Sequence, residues 1–290
     1  MLYKGGTQTL HETWDTSKVL QTIAEDQITF FAGVPTMYTY MIREPDFEKH
    51  DLSSLRVALV AGASVPVEVQ RDFEERAKVR VLDAYGCTGW ISSATPLDGP
   101  RVHGSIGKSL RDIDPTMDTD MKIVGEDDQE LPHGTPGELI VRGSQLPPGF
   151  WRMPKTTLEA YRNGWFHTGD ICKKDENGYF YVIDRKDDLI ITSGYNVYPR
   201  EVEEILYTHP GVNECTVIGR SDPKRGQIVV AYVVLKDNAQ CTGKEIEAYC
   251  RERISNFKVP RRVEFIEDIP KTANGKIYKQ GLRELSSKRE

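Results

Sequence analysis

The fold is decided by residues 55–90, LRVALVAGASVPVEVQRDFEERAKVRVLDAYGCTGW. Residues 55–61 (LRVALVA) read as a buried strand. Ser64 then stands at a helix N-cap position, with Pro66 just inside and Glu68 in the first turn. That helix runs to about Arg76, and residues 79–83 (VRVLD) form the next strand. Strand, helix and strand at these lengths make a parallel βαβ unit. Upstream, residues 28–33 (ITFFAG) add another buried strand, and Pro35–Arg43 a helix opened by proline.

The texture changes near residue 100. Residues 121–124 (MKIV), 137–143 (GELIVRG) and 179–185 (YFYVIDR) are short strands punctuated by Gly, Pro and Asp. They predict a small antiparallel sheet or barrel beside the first unit. A third texture begins near Lys186. Residues 199–206 (PREVEEIL) predict a helix, 213–219 and 228–235 two strands, and 244–253 a second helix. A strand at 262–269, a Gly-containing loop and a polar terminal helix complete a small α+β unit. The expected division is 1–186 (an α/β part over 1–99, a small β subdomain over 100–186) and 187–290.

At 290 residues, the length fits two domains of about 150 residues each. Hydrophobic residues at 38% and charged residues at 28% exclude a disordered or collagen-like chain. The net charge of −6 gives no basic footprint for nucleic acid. No apolar run reaches the roughly 18 residues of a membrane span. The five cysteines lack any CxxC spacing, which argues against a disulfide framework or zinc site and for a cytoplasm-like compartment.

Four segments carry chemistry. Residues 83–90 (DAYGCTGW) follow a parallel strand, where open α/β sheets bind ligands. Asp83 opens this segment, Tyr85 offers a flat face, Thr88 a hydroxyl, and Gly86 lets a ligand approach the backbone. In residues 164–170 (GWFHTGD), Asp170 can accept from two sugar hydroxyls or cap a turn. Residues 183–196 (IDRKDDLIITSGYN) pack five consecutive charges. They read as a solvated boundary, or as a hinge at Asp187 with Arg185 turned to a ligand. In residues 270–276 (PKTANGK), Lys276 is either a surface lysine or a mobile point charge on a loop.

Each segment alone is weak. Their order, together with GVPTMY at 33–38 and AGASVP at 61–66, resembles the adenylate-forming enzymes. That superfamily comprises acyl- and aryl-CoA synthetases, nonribosomal adenylation domains and firefly-type luciferases. The resemblance implies activation of a carboxylic acid by ATP and Mg²⁺ to an acyl-adenylate, then transfer to coenzyme A with release of AMP. It implies that Asp170 and Arg185 hold the ribose and that Tyr85 and Thr88 meet adenine and phosphate. Gly62 and Ala63 would line the adenine and acyl pocket. Gly194 and Tyr195 would face the pantetheine tunnel, Asp187 would be the hinge, and Lys276 would bridge carboxylate and α-phosphate.

Two departures qualify this. The Gly/Ser/Thr-rich phosphate loop of the family is not among these residues. The resemblance therefore implies a piece that begins inside the large domain, expected to self-associate or to pair with an N-terminal half. Gly89 also stands where the family carries a metal-binding Glu. A non-catalytic remnant that binds nucleotide or a partner protein, and a free-standing adenylation domain, are the alternatives.

Overall fold

Residues 5–63, 65–87, 89–272 and 277–287 are described by the computed structural model, and three sheets organise them. In the first part, α1 (Thr16–Glu25), β1 (Phe30–Gly33), α2 (Pro35–Arg43), β2 (Val57–Ala61), α3 (Val67–Ala77) and β3 (Arg80–Cys87) alternate. β1, β2 and β3 pair in parallel, so the βαβ reading holds. β4 (Trp90–Ala94) turns back antiparallel on β3, and β5 (Lys108–Ser109) pairs with β4. The strand order is β1-β2-β3-β4-β5, which leaves β1 at an edge.

Two local expectations change. Pro66 occupies the N-cap position itself, extended at φ −58° and ψ 134°, and no side chain closes that cap. The proline is pre-set to lead into the helix, so α3 starts two residues later than expected; Ser64 lies outside the described residues. The third strand runs on to Cys87, past the expected end at Asp83, because β4 folds back onto it through Cys87↔Trp90. Helix α1 is an addition: Asp15 accepts from the Lys18 N–H at 2.9 Å, and Val19, Leu20 and Ile23 form its buried stripe.

Three aromatic rings, Tyr38, Phe47 and Phe73, meet within the largely aliphatic core of this part. Phe73 of α3 meets the Tyr38 ring edge-on at 4.9 Å and the Phe47 ring at 5.9 Å. Tyr38 is buried and donates its hydroxyl to the Leu59 carbonyl at 2.8 Å, which satisfies its one polar atom.

The second part holds α4 (Leu110–Ile113), β6 (Asp120–Val124), β7 (Gly137–Arg142), α5 (Pro154–Ala160), β8 (Tyr161–Arg162), β9 (Trp165–Lys174) and β10 (Phe180–Arg185). Its strands are antiparallel in the order β10-β9-β7-β6, with β8 on β9. Of the two expected forms it is the sheet, with β6 and β10 at its edges. β9 was hidden in the sequence by its glycine: Gly169 sits at φ +72°, beside a register shift against β7.

The third part contains β11 (Ile190–Thr192), β12 (Tyr195–Val197), α6 (Pro199–Tyr207), β13 (Val212–Asp222), β14 (Gly226–Leu235), α7 (Gly243–Arg251), β15 (Arg262–Phe265) and α8 (Lys279–Ser287). β14 lies centrally, antiparallel to β11 and β13 and parallel to β15. Thr242 and Glu245 close α7 with a reciprocal capping box. A short 3-10 turn, Lys186–Asp188, joins β10 to β11. No described helix is long and apolar enough to cross a membrane.

Candidate functional site

Parallel strands β2 and β3 end side by side, and a cleft of ≈ 270 Å³ opens there. Ala61, Gly62, Tyr85, Gly86, Trp90 and Ile91 are among its walls. This is where an open α/β sheet leaves backbone groups and space for a ligand. Gly86 has a further reason to be glycine: a Cβ there would lie 2.1 Å from the Trp90 carbonyl oxygen across the β3–β4 hairpin.

Tyr85 connects the cleft to the sheet of the second part. Its hydroxyl donates a short hydrogen bond to Asp170 Oδ2 on β9. Register does the rest: Arg185 lies directly across from Asp170 on the neighbouring strand. The guanidinium reaches Asp170 Oδ1 at 3.0 Å. Burial raises the Asp170 carboxyl, against the Tyr85 hydrogen bond and the Arg185 charge. A carboxylate has about four lone-pair positions, and these two partners take one each. Two acceptor positions are left over.

Glu138 of β7, to which the sequence assigns no role, ties this site to the 3-10 turn. Its Oε1 accepts the Gly169 N–H at 3.2 Å, and its Oε2 pairs with Lys186 at 3.2 Å. Burial raises this carboxyl, but the Lys186 ammonium and His167 more than offset it and hold it below the usual range. The segment GELIVRG pointed to this residue only as part of a strand.

The other expected residues scatter. Ala63 is exposed just beyond β2, and Asp187 sits in the 3-10 turn. Gly194 and Tyr195 are at the β11–β12 hairpin, where the exposed Tyr195 ring stacks on Phe257 at 4.6 Å. Thr88 and Lys276 lie outside the described residues. Lys271 and Ile277 are bridged, and the Lys271 ammonium pairs with Glu214 at 3.0 Å. A larger concavity of ≈ 550 Å³ lies beside β7. Its arginines Arg111 and Arg142 both pair with Asp120 Oδ2.

Asp83 turns toward α3 and does not line the cleft. Its Oδ2 accepts from Gln70 at 2.8 Å, and burial pushes its carboxyl up to about 6 against that bond and the Arg101 charge. The folded chain thus keeps this proton to higher pH than the unfolded chain, whose Asp titrates near about 3.9. Stability from this group is present at low pH and is lost as pH rises from about 4 to about 6. Asp83→Asn should therefore raise stability at pH 7.5 by roughly 1–3 kcal/mol and change it little at pH 4. Urea midpoints at the two pH values measure this; an equal shift at both would contradict it.

The family model described as "AMP-binding enzyme" matches residues 1–151, and "AMP-binding enzyme C-terminal domain" matches residues 201–276. The chain belongs to the adenylate-forming, AMP-binding enzyme family. It is 39% identical over 282 residues to a feruloyl-CoA synthase of Amycolatopsis sp, covering 97% of this chain and 57% of that one. It is 40% identical over 279 residues to a long-chain-fatty-acid–CoA ligase of Bacillus subtilis, covering 93% and 48%. ATP-bound MatB from Rhodopseudomonas palustris matches with a TM-score of 0.89 at 33% identity, covering 95% of this chain and 54% of that one. The apo form of the same protein gives 0.71 over 93% of this chain and 53% of that one, at 34% identity. The chain spans about half the length of the curated relatives it matches.

Asp170, bonded to Tyr85 and Arg185, keeps acceptor positions of the kind a ribose diol needs. Among the described residues no group of three His, Cys, Asp or Glu gathers; Mg²⁺ is ordinarily held by one or two carboxylates together with substrate phosphates. At Gly89 a Cβ would meet open space, but φ is +91°, so a glutamate there would also carry backbone strain.

Proposed function

We propose that this chain supplies the ribose-binding, hinge and lysine-loop parts of an acid–thiol ligase. The reaction is activation of a fatty or aryl carboxylic acid by ATP to an acyl-adenylate, then transfer to coenzyme A. The observation that carries this reading is the Tyr85–Asp170–Arg185 constellation, which Tyr85 joins to the cleft. Asp170 would accept the two ribose hydroxyls, and Arg185 would hold its carboxylate ionised and aimed. Tyr85 and Trp90 would give the base an aromatic wall. Lys276 would neutralise charge where two anions meet, the carboxylate and the α-phosphate. Rotation at Asp187 would withdraw that lysine and bring the Gly194–Tyr195 hairpin to the incoming thiol.

Gly89 favours another reading, a chain that binds nucleotide without turnover, because no carboxylate at that position can hold a metal. One experiment separates them: pyrophosphate release by the chain with Mg·ATP and a pool of fatty and aryl acids, with Lys276→Ala alongside. Acid-dependent release that falls by about 100-fold or more in the variant supports the ligase. AMP binding without release, even when the N-terminal half of a relative is added in trans, supports binding without turnover.

A further inference from the structure

Adjacent residues of β10 point in opposite directions, as strand geometry requires. Arg185 points to Asp170, and Asp184 points to the small α+β part. A register shift between Val182 and Asp184 sets this phase. Asp184 is buried, and its Oδ2 accepts the Arg200 N–H in the first turn of α6 at 2.9 Å. Tyr198, at the N-cap of that helix, makes no side-chain cap bond, so the cap comes from across the hinge turn. Arg200 answers in the other direction, donating Nη1 to the Val182 carbonyl at 2.9 Å. The remaining Asp184 oxygen accepts the Arg185 N–H at 2.8 Å.

Helix α8 closes the same junction. Lys279 pairs with Glu203 of α6 at 2.9 Å and lies close enough to Asp184 to stabilise its charge. Arg283 pairs with Asp188 of the hinge turn at 2.5 Å. Arg200, Glu203, Lys279, Arg283 and Asp188 all lie beyond Asp187 in the chain, whereas Asp184, the Arg185 N–H and the Val182 carbonyl precede it. Rotation at Asp187 would thus separate Asp184 from the N-terminus of α6 and from Lys279, while Lys279–Glu203 and Arg283–Asp188 travel together.

We propose that Asp184 is a positioning residue, a helix cap acting across the hinge that sets the share of molecules in this orientation. Because its backbone neighbour is Arg185, occupancy of the ribose site and orientation of the small part are coupled through one peptide unit. This proposal rests on the reading of Asp187 as a hinge. By linkage, whatever stabilises Arg185 against Asp170 also stabilises the latched state.

The test is an electron-spin distance measurement on the full chain. Spin labels at Lys49→Cys and Asp237→Cys would report the two parts, in a Cys87→Ser, Cys241→Ser background. The latched chain should give one dominant distance. Asp184→Ala should add another, shifting the population ratio by about ten-fold, and Asp184→Asn, which keeps an acceptor, by less. Circular dichroism confirms that each variant is folded, and the milder Asn variant carries the test if Ala is not. Asp187→Gly should broaden the distribution whatever Asp184 does. Broadening in Asp187→Gly with an unchanged distance in both Asp184 variants would overturn the latch. An unchanged distance in all three would overturn the hinge reading and the latch with it.

Discussion

Phe73→Ala is expected to destabilise the chain by about 3–5 kcal/mol, a large share of the stability of a typical domain. Phe73 is fully buried, and its ring is the meeting point of α2, α3 and the turn at Phe47. Truncation removes the ring's burial and two edge-to-face contacts, each worth about 0.5–1.5 kcal/mol beyond area. Collapse into the space is obstructed, because Tyr38 is held by its bond to Leu59 under β2 and Arg76 covers Phe47 at 4.4 Å. Urea unfolding with a tryptophan signal measures the loss. A cost below about 1 kcal/mol would mean that the aromatic cluster repacks freely.

Asp170→Ala is expected to weaken AMP binding by about 100-fold or more while leaving the fold intact. Two charge-assisted hydrogen bonds to a diol contribute about 1.5–3 kcal/mol each, and both are lost. The variant also leaves the Tyr85 hydroxyl and the Arg185 guanidinium without their shared acceptor. Arg185 is more than half exposed, so water compensates it and the pair adds little to stability. Tyr85 is the more exposed to loss, since burial already holds its phenol in the neutral form. Trp90 stands 6.2 Å from the Tyr85 ring and lines the cleft, so its fluorescence is a direct titration signal. Unaltered AMP affinity in a folded Asp170→Ala chain would remove Asp170 from the ribose role.

The pattern of residues 28–83 was enough for the parallel βαβ order, because aliphatic runs and proline-opened helices act locally. The same local logic located α6, β13, β14 and α7 within a few residues. β9 escaped it, since WFHTGDICKK mixes polar residues with a left-handed glycine and is strand only through pairing with both β7 and β10. Helix α8 read as polar, yet Leu282 is buried and Lys279 is largely covered by Glu203 and its neighbours. Its role depends on what it packs against.

For the site, sequence order alone brought Tyr85, Asp170 and Arg185 forward as candidates, through segments whose succession resembles one family. Their meeting was decided by the tertiary structure. Positions 85 and 170 are joined across two sheets by a hydroxyl–carboxylate bond, and Arg185 reaches Asp170 because a bulge sets the β9–β10 register. Asp83 and Glu138 show the reverse. Asp83, a candidate ligand by its place beside Tyr85, faces Gln70 instead. Glu138, an ordinary strand residue by its pattern, holds Gly169 and Lys186. Which face a strand residue presents depends on register and bulges, which are properties of paired strands. Residue type and order are written in the chain, but direction is settled only when the strands have found their partners.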